Sequence, residues 1–436
     1  MSAIWTAIAF IVLIVLLLFG VPVAFSFGAG AILMLIFLHI DPAFTIGAIF
    51  YRIDSFILMA IPFFILAGGL MSEGGISERL VNLAESIVGR VKGGMGIATV
   101  LACAFFGSVS GSSAATVASI GSILIPRMTD LGYPKRYTTA LVACSGLLGQ
   151  LIPPSLPMVV YGMLTGTSIA ALFLAIVVPA FIIIILYSVV NYFYCRKIPS
   201  IHVPAKLPFV TTVKHIGRAT YSSSFALLMP IIILGGIYGG FFTPTEAACI
   251  AVVYAIPVGF FIYRGLTWNK FFTQLKDAAS ITGAIVVILF FIFLVSRIFT
   301  LNRVPDIIAS GLLSVSDNRI IILIFVNLFL IILDIFTDDL SGMLLAVPLL
   351  WPIMTQIGIH PVHLAVIMAV NQGSGQMTPP IATNLFVASR ISRLPVMDFV
   401  RPVIPFLLFG SLPTLILVTY VPEISLWLPQ VVLGHL

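Results

Sequence analysis

Gly149-Gln150-Leu151-Ile152-Pro153-Pro154 and Gly375-Gln376-Met377-Thr378-Pro379-Pro380 are two versions of one motif, 226 residues apart (375 − 149). The same offset aligns residues 122–132 with residues 348–358, where Leu, Pro, Met, Thr and Gly recur at matching positions. A proline lacks an N–H and clashes with the preceding helical turn, so each Pro-Pro pair is predicted to break a helix. We therefore interpret the chain as two copies of one unit, each with a broken helix.

The composition of the chain places this repeat in a membrane. Of 436 residues, 60% are hydrophobic and 8% are charged, whereas soluble domains carry about 25% charged residues. Apolar runs of about 20 residues, long enough to span a bilayer, recur along the sequence. The fold class is therefore predicted as an all-α polytopic membrane protein. Paired interrupted segments in two halves of such a chain indicate a transporter binding site.

The apolar runs predict two units, residues 1–222 and 223–436. Each unit is predicted to contain scaffold spans, a re-entrant helical hairpin whose arms are too short to cross the membrane, and a broken transmembrane helix. The hairpins are placed at about 95–128 and 320–354, and the broken helices at about 137–164 and 363–388. Other spans are expected at 3–19, 21–40, 55–71, 169–194, 225–240, 247–263, 281–298 and 400–420. Amphipathic stretches at 78–91 and around Trp268 are predicted to lie in the membrane interface.

The distribution of basic residues supplies the topology. If the N-terminus faces outward, 17 of the 21 Lys and Arg residues fall in predicted inner segments and only Arg52, Arg297, Arg303 and Arg319 fall outside. This agrees with the positive-inside rule. The first hairpin then enters from the cytoplasm and the second from the periplasm, so the repeats are inverted and both termini are periplasmic. The net charge of +6 is thus explained by topology, and no nucleic-acid partner is expected.

The two hairpin tips and the two breaks carry the candidate site. Helix N-termini suit carboxylates and helix C-termini suit cations, and hydroxyl, carbonyl and carboxylate oxygens suit Na⁺. No cofactor and no transition-metal site is expected, because the four cysteines have no metal-ligand spacing. Asp338 is preferred over Asp339 as the inward carboxylate, and Asp334 is interpreted as capping or lining its hairpin. The candidates for binding sodium or substrate are Ser108, Ser110, Ser112, Ser113, Gly149, Pro153, Thr337, Asp338, Gly342, Gly375, Met377 and Thr378.

Four amides could reach the substrate, namely Gln150, Asn371, Gln376 and Asn384. Asn and Gln also hold membrane helices together through hydrogen bonds, and small residues also serve close helix packing. Each of these residues therefore has a structural alternative, and the shared offset of 226 is what favours a binding site.

Several motifs in order resemble one known family. Residues 107–121 (GSVSGSSAATVASIG), the stretch Leu151-Ile152-Pro153-Pro154-Ser155, Asp338 and the stretch Thr378-Pro379-Pro380 are similar to the large membrane subunit of TRAP transporters, the tripartite ATP-independent periplasmic systems. The resemblance implies sodium-driven import of an organic anion, often a C4-dicarboxylate, across the bacterial inner membrane by an elevator motion.

The resemblance also implies partners and ion sites. The partners are a small four-helix membrane subunit, expected to be a separate chain here, and a periplasmic substrate-binding protein. The first sodium site would use residues 108–113 with Gly149 and Pro153, and the second would use residues 337–342 with Gly375 and Met377.

Two other functions compete with this interpretation. A single-component Na⁺/dicarboxylate carrier of similar architecture accounts for the same sequence features, and dependence on a binding protein distinguishes it. An intramembrane enzyme would also place Ser and Asp at membrane depth, but the sequence lacks GxSxG and HExxH motifs.

Overall fold

The computed structural model describes residues 5, 8–9, 11–13, 15–16, 19, 21–88, 91–199, 201, 208–304, 307, 310, 318–379 and 382–434. Regular structure within these residues is entirely helical, which confirms the predicted all-α class. Six of the described helices are long and apolar enough to cross a membrane, and a bent pair makes a seventh candidate. The chain is therefore a polytopic membrane protein.

The α-helices are, in chain order, Val23–Phe37, Pro42–Ile53, Ala60–Glu73, Ile76–Val88, Gly94–Ser110, Ser113–Asp130, Lys135–Ser145, Leu148–Leu151, Leu156–Thr165, Ile169–Ala175, Val177–Arg196, Phe209–Tyr238, Pro244–Pro257, Trp268–Leu301, Arg319–Phe336, Asp339–Gln356, Pro361–Gly375, Thr383–Ser392, Val396–Phe406, Leu412–Tyr420 and Glu423–Leu433. A 3₁₀ turn at Phe56–Met59 and π-helical turns at Val258–Ile262 and Leu407–Ser411 continue neighbouring helices.

Two helix pairs stand where the hairpins were predicted. The first hairpin consists of Gly94–Ser110 and Ser113–Asp130, and the second consists of Arg319–Phe336 and Asp339–Gln356. The returning helices begin and end 226 residues apart (339 − 113 and 356 − 130), the offset of the sequence repeat. The coincidence supports two copies of one unit; their inversion and the boundary at residue 222 stay predictions.

The two hairpin tips turn by different means. In the first, Gly111 adopts a φ of +65°, a left-handed conformation that glycine reaches without steric cost, and Ser112 is extended. In the second, Thr337 and Asp338 are both extended, and the Asp338 side chain accepts a hydrogen bond from the Ser341 N–H at 2.8 Å. An aspartate at this position caps the helix and satisfies an otherwise unbonded donor.

Both predicted breaks interrupt helices. The first broken helix runs from Lys135 to Leu151 and resumes at Leu156–Thr165, with a bend of 41° at the Pro-Pro pair. The second broken helix consists of Pro361–Gly375 and Thr383–Ser392. Its Pro379 lies in the intervening turn, whereas Pro380 and Ile381 fall outside the described residues. Missing proline N–H groups explain why the helices stop at these points.

An amphipathic helix at Ile76–Val88, the arm helix, connects the first hairpin with the rest of the molecule. Arg127 of the hairpin reaches Glu85 and Glu78 of the arm helix, each at 3.3 Å. Burial raises the pKa of Glu85, and Arg127 partly offsets that rise. On the other side, Ser223 of the helix Phe209–Tyr238 donates to the Arg79 carbonyl at 2.9 Å. The arm helix therefore bonds to two bodies, the first hairpin on one side and the scaffold helix Phe209–Tyr238 on the other.

The scaffold differs from the prediction in helix length. The amphipathic stretch around Trp268 and the span at 281–298 form one helix, Trp268–Leu301, here called the long helix. Thr267 caps its start, and no proline interrupts it, so the polar and apolar parts continue without a break. Likewise the span at 225–240 is the second half of Phe209–Tyr238.

Two helices were not predicted from the sequence, and some predicted features fall outside the described residues. The helices Pro42–Ile53 and Glu423–Leu433 were not predicted. Eight of the seventeen residues of the span at 3–19 lie outside the described residues, as do Arg90 and Lys206 of the charge count.

Candidate functional site

The first hairpin tip holds a carboxylate from the second hairpin. Asp339 Oδ2 accepts hydrogen bonds from the Ser113 backbone N–H at 2.7 Å and from the Ser112 hydroxyl at 2.9 Å, and the Ser113 hydroxyl contacts Oδ1. Ser113 is the first residue of its helix, where backbone N–H groups lack helical partners. The tip therefore presents three donors to one buried carboxylate, since Asp339 is only 5% exposed.

The preference for Asp338 as the inward carboxylate is wrong. Asp338 is exposed, and its carboxylate caps its own helix at the Ser341 N–H. Asp339 is the first residue inside that helix, where the chain direction turns its side chain towards Ser113. Sequence spacing held a signal for this, because Ser113 and Asp339 are 226 residues apart and occupy equivalent positions in the two tips.

The side-chain oxygens of four residues, one from the first half of the chain and three from the second, lie close together at Ser113. Its hydroxyl lies 2.6 Å from Gln376 Oε1 and 3.3 Å from Asn384 Oδ1, and it also contacts Asp339. A hydroxyl has one hydrogen, so it satisfies one of these acceptors. The amide nitrogens of Gln376 and Asn384 are buried without a partner among the described residues. Either an amide turns its NH₂ towards Ser113, or a cation satisfies the oxygens. We call Ser113, Asp339, Gln376 and Asn384 the oxygen cluster.

The second tip packs on a second buried carboxylate. A Cβ added at Gly342 would lie 2.7 Å from Asp334 Oδ1 and 2.8 Å from Thr337 Oγ1, and one at Gly375 would collide with Asp334. Asp334 is 1% exposed, and its Oδ2 has no hydrogen-bond partner among the described residues. The structure thus brings Thr337, Gly342 and Gly375 together, as predicted for the second tip, and adds Asp334.

The first tip and the first break are packed closely. A Cβ at Gly149 would collide with the Thr116 hydroxyl and the Ser112 carbonyl. The Ser110 hydroxyl lies 3.1 Å from that of Thr116. Ser110 and Gly149 therefore belong to one tight contact between the hairpin and the broken helix, and Pro153 is buried in the adjoining break.

Other predicted residues lie apart from the oxygen cluster. Gln150 Nε2 donates to the Ala369 carbonyl at 3.0 Å and so links the two broken helices. The remaining four bond elsewhere, Ser108 to the Phe105 carbonyl, Thr378 to the Ser374 carbonyl, Asn371 to Asn327, and Met377 to Tyr187 and Ser411. Asn371 thus joins two helices through a hydrogen bond, which is the structural alternative to substrate binding given above.

A cavity of about 740 Å³ leads to the tips. Its lining includes Ser110, Ser112, Asp338 and Asp339 of the tips. It also includes Glu73 and Lys270 of the scaffold, which form an ion pair at 3.1 Å. Its walls are the scaffold helix Ala60–Glu73, the long helix and the returning helix of the first hairpin. The cavity therefore lies between the scaffold and the hairpins.

One contact closes the gap between those walls. The hydroxyls of Ser72, on the scaffold, and Ser119, on the hairpin, lie 2.6 Å apart. Sequence reasoning did not single out either serine, because both are small residues in apolar helices.

Among the described residues, no group of three or more His, Cys, Asp and Glu side chains could hold a metal ion. The oxygen cluster has one carboxylate together with hydroxyl and amide oxygens. Oxygen ligands of this kind suit a hard cation rather than a soft transition metal.

Comparison with known proteins agrees with this architecture. The family model described as "Tripartite ATP-independent periplasmic transporter, DctM component" matches residues 10–424. The chain belongs to the DctM family. It is 38% identical to the C4-dicarboxylate TRAP transporter large permease protein DctM of Vibrio cholerae, over 98% of each chain. It is 36% identical to the sialic acid TRAP transporter large permease protein SiaM of the same species, over 96% of this chain and 97% of that protein.

A further relative is longer than this DctM-family chain. The isethionate TRAP transporter permease protein DctMQ of Oleidesulfovibrio alaskensis is 38% identical over 94% of this chain, but the chain spans only 64% of its length. Among solved structures, the Alcanivorax borkumensis YdaH transporter superposes with a TM-score of 0.61 at 14% identity, covering 91% of this chain and 90% of that one. Neisseria gonorrhoeae MtrF gives 0.59 at 14% identity, covering 85% and 82%. These two likenesses concern the fold.

The DctM family is a family of transporter permeases and not of enzymes, so membership identifies this chain as a transporter permease. Together with its apolar helices, membership supports a multi-pass protein of the inner membrane.

Proposed function

We propose that this DctM-family chain is the large permease subunit of a sodium-coupled importer of organic anions. It works with a small four-helix membrane subunit and with a periplasmic binding protein that delivers the substrate. The family supports the transport role and implies both partners.

The observation that carries this proposal is the seat of the Asp339 carboxylate. Two hydroxyls and one backbone N–H at a helix N-terminus converge on it, and such a terminus favours an anion. The carboxylate of a substrate has the same shape and charge as that of Asp339. We infer that a substrate carboxylate binds at Ser112 and Ser113 and displaces Asp339 from them.

Displacement of Asp339 would couple the substrate to sodium. Once Asp339 leaves Ser112 and Ser113, its carboxylate has lost those three hydrogen-bond donors. It then binds a small hard cation together with the amide oxygens of Gln376 and Asn384, which lie beside it in the structure. Asp334, with its unpartnered oxygen beside Gly342, supports a second sodium position at the second tip. A buried carboxylate without a counter-charge is costly in a membrane, so a bound cation stabilises it.

The choice among organic anions is proposed from the relatives. Their names include C4-dicarboxylate, sialic acid and isethionate at 36–38% identity, so identity alone does not select one. We propose a C4-dicarboxylate or a related carboxylate, because the carboxylate seat at Ser112 and Ser113 is the best-defined feature of the site.

We propose that, during transport, the hairpins and broken helices move relative to the scaffold. The cavity separates the scaffold from the hairpins, and the arm helix bonds to both. An elevator motion would slide the hairpins and broken helices past the scaffold, with the arm helix as the connection. In this proposal both termini are periplasmic.

Transport by purified proteins tests the proposal. Proteoliposomes would contain this chain and its small membrane subunit, and uptake of labelled C4-dicarboxylates would be measured under an inward Na⁺ gradient, with and without the binding protein. We expect uptake that requires both sodium and the binding protein. Potassium replaces sodium in the control. Sodium-driven uptake without the binding protein would instead establish a single-component carrier, and equal uptake in potassium would refute sodium coupling.

A further inference from the structure

An apolar groove runs along the helix Val177–Arg196, away from the hairpin tips. One wall of the groove follows a single helix face, at spacings of three and four residues, and the other wall comes from the helix that starts at Val396 and its π-helical continuation. The volume of the groove is about 780 Å³. The lining residues are Leu186, Val189, Val190, Phe193, Tyr194, Lys197, Ile198, Pro405 and Phe409.

The length of the groove matches one leaflet of a bilayer. Residues 186 to 197 rise by about 16 Å along a helix at 1.5 Å per residue, and half of a hydrocarbon core is about 15 Å thick. Phe193 and Phe409 on its two walls are 59% and 65% exposed. Large apolar side chains in a groove of this length suit an acyl chain.

One end of the groove is basic. Lys197 lines that end, and its ammonium has no partner among the described residues. Lys92 Nζ donates to the Arg196 carbonyl at 3.3 Å, so a second ammonium lies where this helix ends. Arg401 lies one helical turn before Pro405 on the facing wall. The basic end therefore attracts an anion at the surface of the membrane.

Among the described residues, neither Lys197 nor Arg401 forms an ion pair with an acidic side chain. Residues 186–201 and 399–411 contain neither Asp nor Glu. The nearest acid along the facing helix, Asp398, pairs with Arg136 at 3.6 Å. An apolar groove about as long as an acyl chain, with cations at one end that form no ion pair within the described ranges, is complementary to a lipid that carries a negative headgroup.

We propose that the groove binds an anionic glycerophospholipid, with its phosphate at Lys197 and one acyl chain between Phe193 and Phe409. The predicted topology assigns this basic end to the cytoplasmic leaflet. The groove shares no lining residue with the cavity at the hairpin tips, and the proposal does not depend on the proposed transport function.

The groove also adjoins the second break. Tyr187, next to Leu186, lies 2.6 Å from the Ser411 hydroxyl and 3.4 Å from Met377 Sδ. Ser411 belongs to the same π-helical turn as Phe409. A lipid that packs on Phe409 therefore supports the turn that holds Met377.

Lipid binding by the purified full chain tests the proposal. Phosphatidylglycerol and phosphatidylcholine with identical acyl chains would be titrated, and bound lipid would be counted by native mass spectrometry alongside the thermal unfolding temperature. We expect tighter binding and a larger rise in unfolding temperature with phosphatidylglycerol. Lys197→Gln should weaken phosphatidylglycerol binding by about fivefold, because one surface cation contributes about 1 kcal/mol.

Matched variants separate the groove from general lipid contact. Val190→Trp should fill the groove and reduce binding of both lipids, whereas Ile185→Trp, exposed on the same helix outside the lining, should not. Lys214→Gln removes an exposed cation from another helix and should leave binding unchanged. Equal effects of Lys197→Gln and Lys214→Gln, or unchanged binding after Val190→Trp, would overturn the proposal. Unfolding temperatures without added lipid show whether each variant is folded.

Crosslinking in native membranes identifies the occupant directly. A photoreactive phenylalanine analogue at Phe193 should form adducts with phospholipid. An adduct with a protein instead would show that a partner subunit covers the groove, and it would also overturn the lipid assignment.

Discussion

At the scale of single residues, the site depends on which atoms two neighbouring aspartates present. Asp339 joins the tips of both hairpins through Ser112 and Ser113, while Asp338 caps its own helix beside the cavity. The two side chains are chemically identical, so only their positions relative to the helix start distinguish their roles.

The paired variants Asp339→Asn and Asp338→Asn measure that distinction. Asp339→Asn should lower sodium-driven uptake by about tenfold or more, since the oxygen cluster loses its charged ligand and hydrogen bonds to charged groups contribute about 1.5–3 kcal/mol. Asp338→Asn should have a clearly smaller effect, because asparagine caps helices as well as aspartate. Uptake per folded transporter is the measurement. Equal losses in both variants would contradict the assignment of Asp339.

A second prediction for a single residue concerns Gly149. Gly149→Ala should destabilise the protein by about 1–3 kcal/mol, the usual cost of overpacking, because a Cβ there meets Thr116 and the Ser112 carbonyl. Gly283→Ala is the matched control, since nothing lies within 4 Å of a Cβ at Gly283 in the long helix. It should instead be neutral or stabilise by about 0.5–1 kcal/mol. Thermal unfolding in detergent compares them, and similar shifts would show that the first tip is not tightly packed.

At the scale of helices, the scaffold and the first hairpin share a narrow contact. The hydroxyls of Ser72 and Ser119 meet at 2.6 Å beside the cavity. An elevator motion would have to break this hydrogen bond, because its two residues belong to different bodies. Its net strength of about 0.5–1.5 kcal/mol is small enough to permit that.

The double variant Ser72→Cys with Ser119→Cys tests whether the contact breaks during transport. Because the two hydroxyl oxygens lie 2.6 Å apart, cysteines at these positions are expected to form a disulfide. Oxidation should therefore abolish uptake, and reduction should restore it. The background carries Cys249→Ser, because Cys249 is exposed whereas the other three cysteines are buried. Each single-cysteine variant serves as a control. Full uptake by the crosslinked protein would show that the hairpin does not slide at this point.

At the scale of the whole molecule, the returning helices of the two hairpins are equivalent segments, and their ends report the topology. Asp130 and Gln356 end these helices, are exposed, and lie 226 residues apart. Inverted repeats would place the two residues on opposite sides of the membrane.

Cysteines at Asp130 and Gln356, introduced one at a time into the Cys249→Ser background, test the inversion. A membrane-impermeant maleimide applied to intact spheroplasts should label Gln356→Cys, which is predicted to be periplasmic. It should label Asp130→Cys only after the membrane is permeabilised. The parent without either cysteine controls for buried thiols. Labelling of both positions from the same side would exclude inverted repeats.

Much of the architecture was predictable because it depends on local chemistry. A pair of prolines interrupts a helix, so the breaks at Pro153 and Pro379 could be located in advance. The hairpins could be located because a polar tip divides an apolar run into arms too short to cross the membrane. The long helix was divided wrongly, because a change from polar to apolar composition after residue 280 does not itself end a helix. Only a breaker or a cap ends one.

The sequence by itself determined the all-α membrane class, the repeat with its offset of 226, and the polar tips, because these follow from composition, proline geometry and spacing. Only the tertiary structure decided that Asp339 rather than Asp338 meets Ser113, that Asp334 lies against Gly375, and that Ser72 meets Ser119. These contacts join residues far apart in the chain. They depend on how the helices are placed and rotated against one another, which spacing along one chain does not specify.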